Sequence, residues 1–248
     1  MFAYLITLLS FIIKPQKRKL IVFSYKLKSK IGLEIGGPSS IFGLKGYFPV
    51  YLFAKRVDSV NYSTETVWEG RISEGWNFNY FKLRKGYQYI QEASELKNIS
   101  LGSYDFLLSS HSLEHIANPV KALKIWHTLL KPNGELVLVL PDKKNTFDIK
   151  RPYTSMQHLL NDFNENVDEY DTTHFDEILL YRSSGKNEEE NSREQLNKTL
   201  KNNYINRYAH HHVFNFETIK ELLLYCGFDT VYQQEASPFH LIAIAKRR

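Results

Sequence analysis

Two histidines four positions apart, His111 and His115, stand with Glu114 directly after the apolar run Tyr104-Asp-Phe-Leu-Leu-Ser109. Imidazole has an ordinary pKa near neutrality, so it is the natural acceptor for a proton leaving a hydroxyl. On a helix beginning after that run the two rings would share a face. Glu114 would orient one of them, or His115 with Glu114 would serve only as a cap at the strand–helix turn, leaving His111, closer to the strand end, to touch substrate or cofactor. A second constellation lies in Ile31-Gly-Leu-Glu-Ile-Gly-Gly-Pro-Ser39. There a short apolar run with one acid, Glu34, breaks into Gly36, Gly37 and Pro38. Glycine tolerates positive φ and lets a ligand approach the backbone with no Cβ in the way. The carboxylate suits a cationic or hydroxyl-bearing ligand. A third group joins His158, His174 with Asp171 and Asp176, and the run His210-His-His212. That mixture suits a divalent metal positioning a hydroxyl acceptor, or a lid over the acceptor with His211 as a base. No spacing in it matches a recognised zinc pattern, and no metal ligand is assigned.

These residues need elements to hold them. Strand-like and helix-like segments alternate, as in a parallel α/β sheet. The strands expected after the glycine turn are Val57–Tyr62, Tyr87–Ile90, Tyr104–Ser109, Glu135–Leu140, Thr230–Gln233 and His240–Ala245. The period of Val120, Leu123, His127 and Leu130 predicts a helix over Asn118–Lys131, with Pro119 in its first turn, where a missing N–H costs little. The turn Lys131-Pro-Asn-Gly134 should end it, completing a right-handed βαβ unit. Phe216–Tyr225 is helical, with Gly227 as its cap. Between about 142 and 212 a polar insertion interrupts the alternation, and its charged centre, Lys186–Glu194, reads as a loop or solvated helix.

Composition narrows the classes. The 248 residues, 43 % hydrophobic and 14 % aromatic, are ample for one α/β domain with an insertion. The single Cys226 rules out an internal disulfide framework, fits a reducing compartment and is expected in core packing. A net charge of +5 without a dense basic stripe argues against nucleic acid as a partner. The apolar start Met1–Ile13 is too short to span a bilayer, which takes roughly 20 residues, and lacks the flanks of a secretory signal. With Lys14-Pro-Gln-Lys-Arg-Lys19 behind it, this segment either packs on its own domain or lies on an anionic membrane surface. A cytoplasmic protein, either free or associated with a membrane surface, is therefore expected.

In open α/β sheets, ligands bind beyond the carboxyl ends of the strands, and ligand-grade residues stand at four of those ends. With Leu33-Glu-Ile-Gly-Gly-Pro38, Gln91-Glu-Ala-Ser-Glu-Leu96, the Tyr104–His115 stretch and Leu130-Lys-Pro-Asn-Gly-Glu-Leu-Val-Leu138, the chain resembles class I S-adenosylmethionine-dependent methyltransferases. Leu-Glu-His followed by Leu-Lys-Pro-x-Gly is the most specific part of the likeness. The resemblance covers residues 30 to 142 and returns weakly at Gly227-Phe228. It implies S-adenosylmethionine as cofactor, its methionine portion on the glycine turn and its ammonium near the first acid. An acid after the second strand should hold the ribose, and one after the third should meet the adenine amine. Carried onto this chain, the cofactor-binding residues are Glu34, Gly36, Gly37, Pro38, Ser39, Asn61, Tyr62, Glu92, Ala93 and Ser110. Two departures stand out. Asn61 replaces the ribose acid, Asp58 lying inside the strand, and Pro38 stands where a small residue is common.

The expected architecture is therefore a doubly wound, Rossmann-like, mostly parallel sheet of seven strands with helices on both faces. A domain over 30–248 would carry the polar insertion, after an N-terminal helix and basic segment over 1–29. The expected reaction is methylation of an oxygen on a small molecule or glycan precursor, with His111, His115 and His211 as catalytic candidates. Arg151 and Arg207 would suit an anionic acceptor. A non-catalytic binding module with the same fold is the alternative. A nucleotide-dependent oxidoreductase would want Gly-x-Gly-x-x-Gly, which Gly36–Ile41 lacks.

Overall fold

The computed structural model describes residues 2–181 and 190–248. The chain runs α1 (Phe2–Ile13), α2 (Arg18–Lys26), β1 (Ile31–Ile35), α3 (Val50–Phe53), β2 (Arg56–Asn61), β3 (Glu65–Thr66), β4 (Gly70–Arg71), β5 (Gly75–Phe81), β6 (Arg84–Ile90) and β7 (Tyr104–Ser110). It continues through α4 (Pro119–Leu129), β8 (Leu130–Pro141), α5 (Met156–Asn164), α6 (Phe175–Tyr181), α7 (Glu190–Lys201), α8 (Asn203–Asn206), α9 (Phe216–Tyr225), β9 (Phe228–Ala236) and β10 (His240–Arg247). The order of hydrogen-bonded strands is β5-β6-β2-β1-β7-β8-β10-β9, giving a mostly parallel α/β sheet of eight strands where seven are expected. Two compact units divide the chain. One holds Met1–Ser110, Thr128–Leu138 and Arg247; the other holds His111–His127, Val139–Lys246 and Arg248.

In the first unit, β1 pairs in parallel with β2 and β7, and β2 with β6. Strands buried on both faces need nearly continuous apolar runs, which Ile31–Ile35 and Tyr104–Ser110 supply. The additional strand is β5, antiparallel to β6 at the sheet edge. Its sequence, Gly-Trp-Asn-Phe-Asn-Tyr-Phe, buries little beyond Phe78 and Tyr80. An edge strand needs no continuous apolar signal, so the segment reads as polar connection in the sequence. At the N-terminus, Ala3 packs with Leu52 and Phe53, while Leu5, Leu8, Leu9, Ile12 and Ile13 of α1 are exposed. Lys17 departs from the expected basic cluster. It is buried, and its Nζ donates to the Lys45 and Gly46 carbonyls at 2.9 and 2.8 Å.

In the second unit, α4 starts at Pro119, and Asn118 Oδ1 accepts from the Lys121 N–H at 3.0 Å, capping its free amides. Val120, Leu123 and Trp126 are buried, as the helical period requires. Asn215 caps α9 in the same way, through the Thr218 N–H at 2.8 Å, and Gly227 follows that helix at φ +90°. Cys226 is buried beside Val120, and burial pushes its thiol up to about 12, which makes it an inert packing residue. The insertion builds a small core of its own from Ile178, Leu200 and Ala209 with Phe175, Leu179, Leu196 and Tyr208. Of the Lys186–Glu194 stretch, residues 186–189 lie outside the described residues, and the rest enters α7.

Candidate active site

Parallel register brings the predicted cofactor residues to one edge of the first unit. Ile35 pairs with Val60, and Val60 with Tyr89. The Gly36 N–H donates to the Val60 carbonyl at 2.8 Å, and the Gln91 N–H to the Asn61 carbonyl at 2.9 Å. Ile35 also lies opposite Ser109 in β7. Gly36, Asn61, Gln91 and Ser110 therefore emerge together where β1, β2, β6 and β7 end, with Tyr62, Glu92 and Ala93 just beyond.

Gly36 and Gly37 have φ of +77° and +100°, a region open to glycine at little cost. A Cβ on Gly37 would sit 2.4 Å from Glu34 Cδ, so backbone and carboxylate occupy adjoining space that no side chain could share. Glu34 itself is fully buried. Its Oε1 accepts from the Ser39 N–H at 3.0 Å and its Oε2 from the Tyr51 hydroxyl at 2.5 Å. Burial raises its pKa to about 7 against the opposing pull of Tyr51 and Ser39. The acid thus clamps the turn from beneath. Tyr51 belongs to that clamp and escapes sequence reasoning, because only folding carries it to Glu34.

Asn61 is 8 % exposed, and its Nδ2 has no hydrogen-bond partner within the protein. A buried amide donor left open at a strand end fits the oxygen of a ribose hydroxyl. Asp58 is occupied elsewhere: it accepts from the Tyr87 N–H and the Tyr104 hydroxyl and lies 3.0 Å from Arg56 Nε. A cavity of about 530 Å³ adjoins the turn. Of the predicted cofactor residues, Gly37 and Pro38 line it, beside Arg71, Asn77, Phe78 and Gln88. The open strand ends, positive-φ glycines and open amide fit S-adenosylmethionine, which supplies an electrophilic methyl group when bound.

The histidines of the second unit follow another logic. The expected helix after β7 does not form. Leu113–His115 is one 3₁₀ turn, and His111 adopts φ +52°, a left-handed conformation uncommon outside glycine. His111 and His115 therefore do not share a helical face. The His111 N–H donates to the Val139 carbonyl at 2.9 Å. Its Nε2 lies 2.8 Å from His240 Nδ1, and its Nδ1 lies 3.5 Å from Glu114 Oε1. Burial, then His240 and His210, lower its pKa to about 3, so the ring is neutral at neutral pH. His240 opens β10 and sits 129 residues away; nothing local in the sequence links it to His111.

His115 and His211 are more enclosed. His115 Nδ1 donates to the Ala209 carbonyl at 3.0 Å, and burial holds its pKa well below the usual histidine range. His211 is wholly buried. Asn203 Oδ1 accepts from the Ala209 N–H, which turns its Nδ2 toward His211 Nε2 at 3.2 Å. The Nδ1 proton of His211 then faces Asp171, 3.7 Å away. Glu114 is fully buried, and burial, with the charge of Asp148, raises its pKa to about 8. Its backbone carbonyl accepts from the His211 N–H at 2.8 Å.

Arg151 and Arg207, expected to suit an anionic acceptor, are held by acids of the insertion. Arg151 is 1 % exposed and binds Asp148, Glu177 and the carbonyls of His210 and His211. Arg207 is buried against Glu169. Asp148 also accepts from His210 Nδ1 at 2.6 Å, so these cations knit the insertion together.

Residues 26–233 match the family described as Methyltransferase domain. No curated protein matches the sequence. Solved structures share the fold at low identity. An S-adenosylmethionine-dependent methyltransferase from Mesorhizobium loti is 12 % identical with TM-score 0.53, over 94 % of this chain and 96 % of that one. One from Methanosarcina mazei is 17 % identical with TM-score 0.51, over 92 % and 96 %. The 1,6-didemethyltoxoflavin-N1-methyltransferase of Burkholderia thailandensis, solved with S-adenosylhomocysteine, is 15 % identical with TM-score 0.50, over 94 % and 77 %. Family match, strand order and open strand ends lead to one conclusion: the chain belongs to the methyltransferase-domain family and is a class I S-adenosylmethionine-dependent methyltransferase.

Proposed function

We propose that this enzyme methylates a hydroxyl oxygen on a small molecule or glycan precursor, with His111 accepting the hydroxyl proton. The observation carrying this reading is the His111–His240 pair. His111 is partly exposed and aligned by a second imidazole at 2.8 Å. A hydroxyl nucleophile needs such an acceptor as its oxygen takes the methyl group. His115 and His211, held on the Ala209 carbonyl and on Asn203, serve as positioning residues around Glu114. Glu34, Gly36, Gly37, Pro38 and Ser39 form the cradle for the methionine end of the cofactor. Asn61 and Tyr62 serve the ribose, Glu92 and Ala93 the adenine, and Ser110 the end of β7.

The test is transfer of a ¹³C-labelled methyl group from S-adenosylmethionine into a cell-extract acceptor pool, with the product read by NMR. A methyl-ether shift is expected, and His111→Gln should lower kcat by ~100-fold with the S-adenosylhomocysteine Kd unchanged. Methyl on nitrogen or carbon, or a fully active variant, would refute the assignment.

The N-terminal segment over 1–29 supports a membrane-surface role alongside this chemistry. Among the described residues no helix is long and apolar enough to cross a membrane. Yet α1 exposes Leu5, Leu8, Leu9, Ile12 and Ile13, with the exposed cations Lys14, Arg18 and Lys19 after them. That pairing suits an anionic bilayer surface. Co-sedimentation with phosphatidylglycerol vesicles, lost in Leu8→Glu/Ile12→Glu, checks it; equal pelleting of both proteins would count against it.

A further inference from the structure

A separate polar cluster in the second unit has no part in the proposed methyl transfer. Helix α5 presents His158 and Asp162 one turn apart on a single face. His174 immediately precedes α6, and His212 lies in the extended segment leading to α9. His158 Nε2 stands 3.3 Å from His174 Nε2 and 3.4 Å from Asp162 Oδ2, and Asp162 Oδ2 stands 3.7 Å from His212 Nε2. One donor atom from each of the four residues lies within 4.8 Å of all the others.

A hydrogen bond joins His158 and His174, but hydrogen bonding leaves the carboxylate at the centre of the convergence unpaired. Asp162 is 8 % exposed, yet its Oδ2 has no hydrogen-bond partner, and neither does Nδ1 of the buried His212. Buried polar atoms normally find partners, and an open carboxylate oxygen among three imidazoles calls for a cation. A tetrahedral ion with ligands at ~2.0–2.1 Å places neighbouring donors ~3.4 Å apart. The three spacings bracket that value before any adjustment. His212 Nε2 also lies 3.1 Å from the Ala117 carbonyl, a contact it would exchange for the ion. Three imidazoles with one carboxylate select a zinc-class ion over magnesium or calcium, which take oxygen ligands.

We propose that His158, Asp162, His174 and His212 bind one zinc-class divalent cation. Four protein ligands complete a tetrahedron, so the ion is structural. It would tie α5, the approach to α6 and the approach to α9 into one body, coupling metal affinity to folding of the insertion. His158, whose side chain is 42 % exposed, gives the ion its route from solvent.

The experiment takes full-length protein stripped with a chelator and titrates it with zinc sulfate or cobalt chloride alone. One ion per chain by elemental analysis is expected, with the intense visible bands of four-coordinate cobalt and a melting temperature that rises with zinc. His158→Ala alters a half-exposed side chain, so it should fold, as circular dichroism would verify, yet bind at least ~100-fold more weakly. Asp162→Asn should do the same. Gln157→Ala, exposed on the same helix, and Asp171→Asn should bind like the parent. Absence of stoichiometric binding at micromolar zinc would overturn the proposal. So would full affinity in folded His158→Ala, or loss in Asp171→Asn alone, which would move the ion to Asp171, His174 and His211.

Discussion

The carboxyl edge of β1, β2, β6 and β7 and the histidine-rich insertion are both dense in polar side chains, but they dispose of them differently. At the edge, the side chains are short, their positions follow from strand register, and the buried amide of Asn61 stays open. Glu34 is engaged there, and it holds the turn through Ser39 and Tyr51. In the insertion, Arg151 links Asp148, Glu177 and two carbonyls, Arg207 takes Glu169, and His210 takes Asp148. The first region leaves groups open for a ligand, whereas the second consumes most of its own in a buried network. Strand register places polar residues at the edge, whereas in the insertion most are consumed by one another and four converge on the proposed cation.

Four changes would break or sharpen that contrast. The largest is Arg151→Met, which strands two carboxylates and two carbonyls in a buried setting. Denaturant unfolding should show a loss of about 3–5 kcal/mol, and less than about 1 kcal/mol would mean the network is dispensable. Next comes the pH dependence of Glu34. Its folded pKa near 7 exceeds its unfolded value, so the folded state binds the extra proton. Stability from this group is complete below pH 4.5 and is lost as pH rises through 7, amounting to about 3 kcal/mol. Glu34→Gln should flatten that slope in urea melts from pH 4.5 to 8; parallel slopes for the two proteins would refute the clamp.

Gly37→Ala forces a side chain into positive φ and against the Glu34 carboxylate. We expect a stability loss of about 2 kcal/mol and no calorimetric heat with S-adenosylhomocysteine at micromolar concentration. Retained binding would free the turn from the cofactor role. The smallest effect is Asn61→Ala, which removes the open donor and should weaken S-adenosylhomocysteine by about tenfold, or ~1.4 kcal/mol, with stability unchanged. An unaltered Kd would leave the ribose to other groups.

Much of the first region is legible in the sequence. The glycine turn, the four strands after which ligand residues follow, α4 with Pro119 and α9 with Gly227 all arise from short-range rules of period, capping and backbone freedom. The edge strand β5 is not legible, since it buries one face only in part and reads as polar connection. The helix expected through His111 and His115 fails because His111 takes a left-handed φ and Leu113–His115 closes as a single 3₁₀ turn. Arg151 and Arg207 read as ligand residues because a sequence shows a charge without the partner that neutralises it.

By itself the sequence determined the alternation of strand and helix, the turn at Gly36 and Gly37, and the family to which the chain belongs. Those depend on residues close together along the chain. Only the tertiary structure decided that His240 pairs with His111, that Tyr51 closes on Glu34, and that His158, Asp162, His174 and His212 converge. Each of those contacts joins segments far apart in sequence, and no local preference encodes which distant side chain will arrive. Burial then decides the chemistry, since the same imidazole or carboxylate is neutral, charged or engaged according to what folding sets beside it.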